Sequence, residues 1–225
     1  MASRKRMLVT GTAAALLLVT PSNAAAARTV VGITVVSDAG EHHGVCTLVH
    51  RAPRDRAVVL SFLTAASLFL RDDGSHAYLH SIVIDPTGDR LDATSDDVSL
   101  PAGRAVDVAI VRAAAKTSTL APIAIHFTPP SVGAAFAIEG PPGAVDRLVE
   151  HVRFASALQL VGDRDASELD ACTGAPAIDV DGVFGIVCDC RPQRAPIVSL
   201  LPLARAFLAE HLPGLAVPHD TVNRR

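Results

Sequence analysis

The sequence predicts an all-β fold, a sandwich or barrel in two β subdomains, with one short helix near the C-terminal end. Three observations predict it. Short apolar runs recur along the whole chain at close spacing, which argues against βαβ units. Gly and Pro number 15 each and punctuate those runs, as strands joined by turns require. A composition shift near residues 114–130, ending in Pro129-Pro130, separates two groups of runs. Hydrophobic residues make up 49% of 225 positions, enough for a substantial core and incompatible with a disordered chain. Formal net charge is −3, and no Lys/Arg run follows residue 6. A nucleic-acid partner is therefore not expected.

The elements follow in order. Arg4-Lys5-Arg6, the apolar stretch Met7 to Val19, and the small residues up to Ala27 have the three-part layout of a secretory signal peptide. Cleavage after Ala24 or Ala27 is expected. The apolar stretch is shorter than the roughly 20 residues of a spanning helix. An uncleaved membrane anchor is the alternative, and no stable membrane span is expected after cleavage. The expected location is secreted or otherwise extracytoplasmic, in a bacterium.

Strands are predicted at Thr29 to Val36, Gly44 to His50, Ala57 to Leu63 and Tyr78 to Ile84, the last closed by the turn Asp85-Pro86-Thr87-Gly88. Ala105 to Val111 is an apolar run broken only by Asp107. Val132 to Ile138, Val152 to Leu160, Val183 to Val187 and Ile197 to Leu201 complete the set. Leu200 to His211 has the amphipathic spacing of a helix and stops at Pro213-Gly214.

The cysteines are Cys46, Cys172, Cys188 and Cys190. An even count in an exported protein points to disulfides, and spacing alone does not choose among the three pairings. Cys188 and Cys190 lie two apart, on one face of a strand, which is poor geometry for a zinc site. His76 and His80 are four apart but lack a third ligand. No metal and no cofactor is expected.

Four segments carry a resemblance. Phe62 to Phe69 reads FLTAASLF, Asp107 to Val111 reads DVAIV, Ala171 to Pro176 reads ACTGAP, and Asp181 to Val187 reads DGVFGIV. Val132-Gly133 and Gly140-Pro141-Pro142-Gly143 add weaker echoes. In that order the segments resemble the trypsin-like, chymotrypsin-fold serine peptidases. They are similar to the family's segments around the catalytic His, the catalytic Asp and the nucleophilic Ser, and to the strand after the nucleophile. The resemblance spans about Val30 to the terminal helix. It implies two antiparallel six-stranded-type β-barrels, residues 28–115 and 116–225, after a signal peptide at 1–27. The short separation of Asp107 and Thr173 implies a trimmed second barrel.

Carried over by position, the resemblance puts Ser67 where the family has its base, Asp107 at the acid and Thr173 at the nucleophile. Only Asp107 keeps the family's residue. A serine hydroxyl has no proton affinity near neutral pH, so Ser67 does not replace an imidazole. Without a base, Thr173 stays a neutral alcohol, and its extra methyl restricts χ1. The expectation is a catalytically degenerate homologue that binds an extended peptide or protein segment without cutting it. Packing and hydrogen bonding then explain Ser67 and Thr173, and Asp107 becomes a hub that accepts from the Ser67 hydroxyl and nearby backbone N–H groups. Ala171, in place of the glycine whose amide helps form the oxyanion hole, weakens that hole. Cys172 is expected to point away from the cleft, near Cys188 or Cys190 and bonded to one of them. Two alternatives stay open: a hydrolase whose base has moved to His42, His43 or His50, and an exported β sandwich unrelated to peptidases.

Overall fold

A computed structural model describes residues 29–85, 90–103, 106–140, 147–155, 159–161, 172–189 and 195–215. The expected signal peptide, Ala171, Cys190 and most of the turn after Asp85 lie outside the described residues. Among the described residues, fourteen strands form two antiparallel sheets of seven, in the orders β5-β4-β1-β2-β3-β7-β6 and β10-β11-β14-β13-β12-β8-β9. β5 packs back against β7, which curls the first sheet into a barrel. Each sheet contains a strand of only two residues, β6 (Val98–Ser99) and β10 (Phe154–Ala155), beyond the six expected.

The first sheet opens with β1 (Val30–Ser37) and β2 (Gly40–Arg54). Only Gly44–Leu48 of β2 is buried, which is why the apolar pattern marks its centre alone. Its polar wings stay extended because β1 pairs with the first half and β3 (Ala57–Thr64) with the second. Asp55, at φ 50°, opens the β2–β3 turn, a conformation Asp tolerates better than most residues. β4 (Leu79–Asp85), β5 (Leu91–Ala93) and β7 (Ala109–Ala115) complete the sheet with β6. Asp107 therefore precedes β7 rather than interrupting a strand. Its backbone N–H donates to the Ser199 hydroxyl at 3.1 Å instead of joining the ladder.

The second sheet comprises β8 (Ala135–Glu139), β9 (Arg147–His151), β10, β11 (Gln159–Val161), β12 (Pro176–Ile178), β13 (Val183–Asp189) and β14 (Ile197–Leu200). The expected strand from Val152 to Leu160 is not continuous. Val152 lies between strands, where its N–H donates to the Ala134 carbonyl, and β10 and β11 pair with each other further on. Leu201–Ala204 forms a 3-10 turn, and α1 is the helix Arg205–His211. Pro202 has no N–H to donate, so the tighter turn carries the chain into α1.

β13 is apolar without alternation because both of its faces are covered. Val183 and Ile186 join the core of the first sheet, while Phe184 and Val187 join that of the second. Gly185 sits between them, with its missing side chain directed at Val198 and the Ser199 backbone. Traffic runs the other way too: Val30 and Val45 of the first sheet pack into the second core.

Candidate functional site

Ser67 lies in a 3-10 turn, Ala66–Phe69, that follows β3 and buries Ala66, Leu68 and Phe69. Burying those three leaves Ser67 facing outward. Its backbone N–H donates to Oδ1 of Asp107 at 2.7 Å, and its hydroxyl and the Ala66 N–H donate to the same carboxylate. The carboxylate thus takes donors from two consecutive residues of one turn. Burial pushes the Asp107 carboxyl above its usual range. The three hydrogen bonds pull it down and do not fully offset the loss of solvent. No ion pair among the described residues includes Asp107.

A consequence for stability follows from that sign. A raised folded-state value means that the native protein holds this proton more tightly than the unfolded chain does. The stabilising contribution is present below the unfolded value near 3.8 and is lost as pH rises through the folded value. Asp107→Asn removes that dependence. Urea midpoints across the acid range should fall with rising pH in the wild type relative to the variant, and the variant should be no less stable at neutral pH. Parallel curves would refute this account of Asp107.

Thr173 occupies a tight turn in which the Ala175 N–H donates to the Cys172 carbonyl at 2.9 Å. Gly174 takes φ +89°, and its N–H reaches the Val187 carbonyl at 2.8 Å. The Thr173 carbonyl accepts the Val45 N–H at 2.8 Å. A Cβ on Gly44 would lie 2.7 Å from both that carbonyl oxygen and the Leu68 side chain. The turn is therefore seated on β2 and on Thr64 and Ala65 at the end of β3, where the two sheets meet. The Thr173 hydroxyl has no hydrogen-bond partner among the described residues.

A cavity of about 310 Å³ opens beside Ser67 and Asp107, walled by Leu70, Leu100 and Val106, with His76 at its edge. His42, His43 and His50 do not line it. His43 instead pairs with Glu41 at 3.2 Å, and His42 and His50 lie in the β2 ladder opposite Val35 and Ser61. The sequence singled out His76 only for its spacing from His80. It reaches the cavity because residues 71–77 turn back through Gly74 (φ +75°), pairing Leu70 with His76, while Arg71 bonds the His76 carbonyl and the Asp38 carboxylate. The Asp72-Asp73-Gly74 turn was the signal available for that reversal.

Three of the four cysteines lie among the described residues. Cys172 is buried in the second core and does not line the cavity. The Cys188 thiol donates to the Ile197 carbonyl at 3.3 Å. Cys46 is buried in the first core, and desolvation pushes its thiol well above the ordinary range, so it behaves as an apolar side chain. No three metal-ligating side chains converge among the described residues.

Comparison with solved structures decides the architecture. A Glu endopeptidase superposes with a TM-score of 0.60 at 12% identity, covering 82% of this chain and 89% of that one. The fold is chymotrypsin-like. A scabies mite inactivated protease paralogue matches this chymotrypsin-like chain with a TM-score of 0.59 at 14% identity, covering 85% and 97% of the two chains. The Rv3671c protease from M. tuberculosis, in its active form, matches at 0.56 with 20% identity over 92% and 91%. No family model matches the sequence, and no curated protein does. The chymotrypsin-like architecture excludes an unrelated β sandwich.

Proposed function

We propose that this protein is an exported, non-catalytic homologue of chymotrypsin-like serine proteases that binds an extended peptide or protein segment. One observation carries the reading: the Asp107 carboxylate is occupied by the N–H and hydroxyl of Ser67 itself, and no imidazole bonds it among the described residues. A triad needs that imidazole to take the hydroxyl proton. The scabies mite neighbour, named as an inactivated paralogue, supports the view that this fold persists without activity.

Export through residues 1–27 belongs to the same reading. So does a bridge between Cys172 and Cys190, since Cys46 is sealed in the first core and Cys188 directs its thiol to a backbone carbonyl. Non-reducing peptide mapping would reveal the linked pair.

The test is labelling with a fluorophosphonate together with peptide and ester hydrolysis assays. The wild type should remain unlabelled, with turnover at background. A triad that lacks one member retains only the ~10³–10⁴-fold assistance of binding and oxyanion hole. Labelling that is lost in Thr173→Ala would overturn the proposal. A second reading, a hydrolase with a relocated base, is favoured by His76, the histidine at the Asp107 cavity. Hydrolysis abolished by His76→Ala would establish it.

A further inference from the structure

We infer that the cavity beside Asp107 binds an imidazole ring, the side chain of a histidine carried by the incoming segment. The inference deepens the peptide-binding reading and rests on it. Three features of the cavity carry it.

The first is charge. Asp107 is a half-buried carboxylate with no cation paired to it among the described residues. Arg71, next to the lining residue Leu70, is already committed to Asp38, Ser75 and the His76 carbonyl. An incompletely solvated anion favours a ligand that brings an N–H donor, best of all a charged one.

The second is shape. The volume of about 310 Å³ is twice the ~150 Å³ of an apolar cavity known to hold a benzene ring. A five-membered ring enters with room for the atoms that tether it.

The third is the lining. Leu70, Leu100 and Val106 offer apolar contact to ring faces, while Ser67, Asp107 and His76 add polar groups to the same lining. An aliphatic ammonium would offer the apolar walls only a narrow methylene stem, not a ring face. A phenyl ring would bring the carboxylate no further donor. An imidazole satisfies both.

The experiment titrates imidazole into the purified protein and follows backbone amide signals by two-dimensional NMR. Saturable shifts at Ser67, Gly103 and Asp107 are expected. Asp107→Asn removes the anion and should weaken binding roughly tenfold or more. Ser67→His supplies a ring from the chain itself and should abolish binding by filling the space. Absence of saturation in the wild type, or unchanged affinity in Asp107→Asn, overturns the inference. A second arm compares an extended peptide containing histidine with the same peptide carrying alanine. Equal binding of the two overturns the cavity assignment while the peptide-binding reading stands. Binding of free imidazole with neither peptide bound overturns the peptide-binding reading instead.

Discussion

Gly174→Ala is expected to cost the fold on the order of 3–5 kcal/mol. Two penalties combine. Gly174 holds φ +89°, a conformation that strains any residue with a Cβ. An added methyl would also overlap the Val45 carbonyl oxygen and the Thr64 hydroxyl. Those two atoms are bonded to each other at 2.7 Å, and both are buried, so neither is easily displaced. Relief requires the turn to lift from β2, which breaks the Val45 N–H to Thr173 carbonyl bond. For a protein whose whole stability is about 5–15 kcal/mol, the loss is severe. The melting temperature should fall by roughly 10 °C or more, since each kcal/mol moves it by about 2–4 °C at this size. Gly32→Ala is the control. No atom lies within 4 Å of the point where its Cβ would sit, and its φ is not positive, so its melting temperature should stay near that of the wild type. Equal melting temperatures for Gly174→Ala and the wild type would disprove the seating of this turn.

Phe184→Ala should destabilise the protein by about 3–5 kcal/mol. Phe184 is fully buried and meets Phe136 edge to face, with centroids 5.7 Å apart at 78°. Aromatics are only 4% of the chain, so few rings stand ready to fill a vacated space. The core that holds it is dominated by short or β-branched side chains, among them Ile138, Val187, Val198, Ala175 and Ala177, which reorient little. The void therefore persists and carries its own penalty beyond the lost transfer energy. Phe184→Leu keeps most of the volume and should cost less than half as much. Urea unfolding with an unchanged m-value is the measurement. Equal losses for the two variants would show that ring contacts, not volume, dominate.

Much of the fold was legible because its central strands are apolar on at least one face. β1, β3 and β13 begin or end within one or two residues of their expected bounds. What was illegible has a physical cause in each case. β6 and β10 contain two residues apiece, and a partner's register rather than a local pattern defines them. β9 carries polar residues at Arg147, Glu150 and His151, so its pattern does not announce a strand. Asp107 reads as part of a strand because Ala105 to Val111 is apolar around it. Its true position depends on Ser67 and Ser199, 40 and 92 residues away in sequence. The Ser67–Asp107 contact was nonetheless legible, because the FLTAASLF and DVAIV segments fix both backbones. His76 was not, for the opposite reason. Its place at the cavity is set by loop reversal, and a lone histidine in a polar loop carries no motif.

The two-faced burial of β13 bears on how the molecule comes apart. A chain with two sheets invites the picture of two modules joined by a tether, able to hinge or to be expressed singly. Here the first core includes Val183, Ile186, Leu201 and Leu208 from the later half of the chain, and the second includes Val30 and Val45 from the earlier half. A truncation between the sheets would therefore strip a wall from each core rather than release an intact unit. The boundary visible in the sequence divides strands between sheets, but it does not divide the cooperative unit of unfolding.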